Sequence, residues 1–167
     1  MASVSPSDIR IYQIDGRHPG RGHVLLILTD GPTDLAAAAV AAARARDAGV
    51  LLYTAAAVAS PGFSINALLH RARAHRQDAD AAGITARVAP ALRAAGVGHF
   101  MNSAALRLPH GSRHRGDLPG VVISRLARNL DAALVITTLP IREPLHGLAP
   151  ATSGEAAPDA GGMAPST

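Results

Sequence analysis

The residue best placed to do chemistry in this sequence is an acid at the end of an apolar run. His23-Val-Leu-Leu-Ile-Leu-Thr29 leads into Asp30-Gly31-Pro32-Thr33, and Asp34 to Ala48 is alanine-rich and closed by Gly49. Open α/β sheets receive ligands at the carboxyl ends of their strands, which is where Asp30 falls. The plainer reading is that its carboxylate only organises the turn by accepting backbone N–H groups. Both readings stay open at the level of sequence.

A second group of chemically capable residues lies between Arg107 and Asp117. Arg107, Arg113 and Arg115, with His110 and His114, form a basic loop that suits a phosphate or an acidic partner. His110 and His114 have neither a helical setting nor a third ligand nearby, so no metal site is expected there. A solvated basic loop is the plainer alternative.

Much other chemistry is closed. The chain of 167 residues has no cysteine, which removes thiol nucleophiles, disulfides and Cys-ligated zinc. Every basic residue apart from histidine is arginine, so a lysine-bearing phosphate loop and a Schiff-base mechanism are excluded. Ser112 and Ser103 lack the glycine-flanked elbow of a serine hydrolase, and no HExxH helix is present. No catalytic residue is assigned, and nothing argues for an enzyme.

The net charge of +4 and the pI near 10.9 raise the question of a polyanionic partner. The arginines are spread along the chain, and Tyr12, Tyr53, Phe63 and Phe100 are its only aromatic residues apart from histidine. Arginine in place of lysine, with abundant alanine, is also what a GC-rich genome writes. An arginine-dependent binder of nucleic acid or of an acidic protein is kept as the alternative function.

These groups must be positioned by the elements around them. Ile9 to Ile14 alternates apolar and polar residues, which predicts a short edge strand within a leader spanning residues 1–22. His23–Thr29 reads as a strand buried on both faces, the mark of a central parallel strand. Asp34 fits the N-cap of the next helix and Gly49 its C′ position. Val50 to Val58 is a second strand. A long helix through Pro90 follows, favoured over a short strand plus turn at residues 83–95. Val97–Leu106 is a third strand, Pro119 suits the first turn of another helix, and Ala132–Leu139 is a fourth strand. Residues 141–167 read as a flexible tail. The expected fold is an open, doubly wound, mostly parallel α/β sheet of Rossmann-like form, with four core strands in residues 23–140. No run is long and apolar enough to span a bilayer, no signal peptide is visible, and the expected location is the cytoplasm.

Three stretches carry a resemblance. They are Val24-Leu-Leu-Ile-Leu-Thr-Asp-Gly-Pro-Thr-Asp-Leu35, Leu92-Arg-Ala-Ala-Gly-Val97 and Ile123-Ser-Arg-Leu-Ala-Arg-Asn-Leu-Asp-Ala-Ala-Leu-Val-Ile-Thr137. Over residues 23–140 the chain resembles the universal stress protein family. The resemblance implies a stress-linked regulatory or adaptor module, a homodimer, and ATP or AMP as ligand. It implies that Thr29, Asp30 and Gly31 lie at the nucleotide, with Asp30 near adenine and ribose, and that Ala57 and Val58 lie at the base. ATP-binding members carry a glycine-rich signature after the fourth strand. Here that place reads Thr138-Leu-Pro-Ile-Arg-Glu-Pro-Leu-His-Gly147, so no backbone cradle for phosphates is expected. The family's last helix and fifth strand, which often supports dimerisation, are not visible either. Nucleotide binding is therefore expected to be weak or lost.

Overall fold

A computed structural model of the chain describes residues 9–18, 20–59, 67–96, 100–102, 105–108, 116–142 and 147–151. In chain order the elements are β1 (Arg10–Ile14), β2 (His23–Leu28), α1 (Asp34–Ala48), β3 (Leu52–Ala59), α2 (Ala67–Ala94), β4 (Phe100–Asn102), β5 (Leu106–Leu108), β6 (Leu118–Pro119), α3 (Gly120–Asn129), β7 (Ala132–Thr137), β8 (Ile141–Arg142) and β9 (Leu148–Pro150). The main sheet runs β4-β3-β2-β7-β1-β9, with β5 also on β3. β4, β5, β3, β2 and β7 are mutually parallel, whereas β1 is antiparallel to both β7 and β9. This is the expected open, mostly parallel α/β sheet of Rossmann-like form. Its parallel core has the spatial order third, second, first, fourth strand.

The burial pattern explains why β2 is central. Val24 to Leu28 are wholly buried, and their side chains alternate between two apolar layers. Val24, Leu26 and Leu28 face α1 and α2, together with Leu52, Val58 and Ile136. Leu25 and Ile27 face α3, together with Val135, Ile123 and Tyr12. Helix α1 meets the sheet through Ala37, Ala38, Ala41, Ala42 and Ala45, small residues that let backbone approach backbone. It ends at Gly49 in the left-handed region (φ 65°), with the amides of Gly49 and Val50 donating to Arg46 and Ala45 carbonyls. Helix α2 passes through Pro90 and buries Gln77, Ala81, Ile84, Val88 and Leu92, a three- and four-residue spacing along one face. The long interrupted helix expected over residues 83–95 is therefore what forms.

Several expectations change. The strand expected at an edge, β1, pairs antiparallel with β7, the fourth core strand. It is not at the edge, because β9 lies outside it. The segment expected to be a flexible tail from residue 141 instead contributes β8 and β9. Ile141 and Leu148 are buried in the layer under α3, the Ile141 amide donates to the Tyr12 hydroxyl at 3.1 Å, and the Asp15 amide donates to the Gly147 carbonyl at 2.7 Å. Strands of two and three residues are too short to show a period, but two apolar anchors are enough to dock them. The third core strand forms as two pieces, β4 and β5, each on a different half of β3. Pro119 sits at the N-cap of α3, one place before the helix proper.

Candidate functional site

The carboxyl ends of β2 and β3 hold the site. Asp30 is the residue just beyond the apolar strand where the chain must turn, and it adopts the left-handed conformation at φ 63°. Aspartate tolerates that region better than most residues, though less well than glycine. Its amide is held by Asp34. The Asp34 carboxylate accepts the amides of Asp30 at 2.9 Å, Thr29 at 3.0 Å and Gly31 at 3.3 Å, and the Thr29 hydroxyl at 3.1 Å. Asp34 is thus the first residue of α1, is buried, and reaches back to the preceding turn. It does not cap its own helix, as the sequence had suggested.

The turn-organising role considered for Asp30 therefore belongs to Asp34. The Asp30 carboxylate is left for another partner, and it pairs with the Arg87 guanidinium on α2. Both side chains are substantially exposed, Asp30 to 39% and Arg87 to 63%. Such pairs contribute about 0–1 kcal/mol to stability.

The pair borders two hollows. The larger, of about 550 Å³, is lined by Asp30, Val58, Ala59, Gln77, Asp80 and Arg87, among others. That volume falls in the range of small-molecule sites. Gln77 fixes its wall by donating from Nε2 to the Ala59 carbonyl at 2.6 Å, which ties α2 to the end of β3. The smaller hollow, of about 220 Å³, lies toward α1 and includes Gly31, Pro32 and Leu35. Asp30, Ile84 and Arg87 line both.

The residues expected at a nucleotide fare differently. Asp30 and Val58 come together at the larger hollow, and Gly31 lines the smaller one. Thr29 instead joins the Asp34 cluster, with its hydroxyl 2.8 Å from that of Thr138 at the end of β7. This contact bridges the ends of β2 and β7, where the strand order reverses. Ala57 lies on the opposite face of β3, packed with Leu106 and Leu108, because neighbouring strand residues point to opposite sides. Arg107 belongs to β5 and not to a loop, and its guanidinium stands 4.0 Å from the Asp78 carboxylate of α2. His110, Arg113, His114 and Arg115 lie outside the described residues.

Sequence reasoning missed Arg87, Gln77 and Asp80. Their only signal was position on the flank of a predicted helix, and nothing in the sequence says which flank faces the end of a strand. Among the described residues no helix is long and apolar enough to cross a membrane. No protein-family model matches this chain, and no curated protein matches it in sequence.

Proposed function

We propose that this chain is a universal stress protein-like regulatory or adaptor module whose larger hollow receives an adenine nucleoside or nucleotide. The observation that carries the reading is the meeting of Asp30 and Val58 at one hollow of about 550 Å³, at the carboxyl ends of adjacent parallel strands. These are residues that the family resemblance assigns to ribose and base. A carboxylate accepts two hydroxyl hydrogen bonds from a ribose diol, and the apolar flank of Val58 and Ile84 suits a base edge. With the family's glycine-rich signature missing from residues 138–147, the nucleoside half supplies most of the binding. Occupancy of the site, read by a partner protein, would be the regulatory signal, and the stress-linked role and homodimer come with the resemblance.

The test is thermal unfolding of the full chain with millimolar adenosine. At tenfold excess over Kd the stabilisation is about 1.4 kcal/mol, or roughly 4 °C in Tm for a domain of this size. The gain should vanish in Asp30→Ala. No shift in the unaltered protein at millimolar adenosine, AMP and ATP contradicts the reading.

A further inference from the structure

We propose that Arg87 is the anion-binding residue of the larger hollow, and that Asp30 occupies its guanidinium until a ligand bearing a single phosphate-type group takes Asp30's place. The proposal rests on reading that hollow as a ligand site, and it names the class of ligand: a phosphate monoester of a polyol, of which a nucleoside monophosphate is the instance that also fits Asp30.

The first support is where the pair sits. Asp30 and Arg87, with Ile84, line both hollows, so their ion pair lies where the two adjoin. The second is that the pair can separate without unfolding the turn. The backbone of residues 29–31 is held by the Asp34 carboxylate, so the Asp30 side chain is not needed to maintain it. The third is exposure. A pair this open to solvent is exchangeable, and the planar guanidinium matches a phosphate in two-point fashion at least as well as a carboxylate.

The charge of the lining sets the class. Among the described lining residues Arg87 is the cation, against the carboxylates of Asp30 and Asp80. One guanidinium can match one phosphate group, whereas a triphosphate would bring further negative charge to a wall that already carries two acids. Displacement also frees Asp30 to accept hydroxyls from the same ligand. A molecule with a diol at one end and one phosphate at the other therefore satisfies both halves of the pair it separates.

The experiment is calorimetric titration of the full chain with three probes: inorganic phosphate, adenosine and AMP. Removing the internal competitor in Asp30→Ala should tighten inorganic phosphate binding about tenfold over the unaltered protein, and Arg87→Gln should abolish it. AMP should bind about tenfold more tightly than adenosine in the unaltered protein, and that ratio should fall to about one in Arg87→Gln. Arg87→Lys, which keeps the charge but loses the two-point fork, should be intermediate. Phosphate affinity that is the same in the unaltered protein, Asp30→Ala and Arg87→Gln overturns the assignment of Arg87, whatever adenosine does. If adenosine fails to bind while phosphate binding depends on Arg87, the nucleoside reading falls and the assignment of Arg87 stands.

Discussion

The Asp34 carboxylate accepts the amide of Asp30 at 2.9 Å, and this one contact divides the work of the two acids. Asp34 turns inward and holds the strand-to-helix turn, so Asp30 can present its own carboxylate to Arg87 and to the hollow. A turn with one acid would have to choose between shape and recognition.

Asp34→Ala tests the structural half of that division. Removing the buried carboxylate takes the shared acceptor from the amides of Thr29, Asp30 and Gly31 in a part-buried turn. Losing three amide bonds to one charged acceptor is costly even in a part-buried turn, and the loss should be about 2–3 kcal/mol in urea unfolding. A loss below 0.5 kcal/mol would show that the turn holds its shape by other means.

Asp30 carries a conformational cost that the proposed binding role would explain. At φ 63° a glycine fits more easily than any residue with a Cβ. Asp30→Gly should therefore be more stable than Asp30→Ala by about 1 kcal/mol in the same denaturant assay, while neither binds adenosine. Equal stabilities would mean that the turn relaxes away from the left-handed region once Asp30 is replaced.

Leu148→Ala probes the strand formed where a tail was expected. Leu148 is buried under α3 with Ile141 and Tyr12, and β9 covers the open side of β1. Truncation should cost about 2–3 kcal/mol, at the lower end for buried leucines because the strand is short and peripheral. A change within 0.5 kcal/mol would mean that β9 does not dock in solution.

The sequence made the centre of this fold readable and its margins unreadable, for a physical reason. His23 to Thr29 and Ala132 to Leu139 are apolar runs that can be satisfied only between two packed layers, so their central place follows from composition. The Asp34–Ala48 helix and the passage of α2 through Pro90 follow from spacing and end signals. β8 and β9 are too short to show a pattern, and the partner of β1 depends on which strand remains open after the core assembles. The site divides along the same line. Asp30 could be picked out because a strand end is visible in one dimension. Arg87 could not, since it reaches Asp30 only through the way α2 lies across the end of β3. Ala57 and Val58 are neighbours in sequence that the alternation of a strand sends to opposite faces, and only Val58 reaches the hollow.

The most direct test of the central claim, that the hollow beside Asp30 and Val58 is where the ligand sits, is an amide NMR titration of the full chain with AMP. The account predicts saturable shifts concentrated at Asp30, Gly31, Val58, Ala59, Gly83 and Arg87, with residues of β1 and α3 unmoved. Saturable shifts centred elsewhere, or no shifts at millimolar AMP, would contradict it.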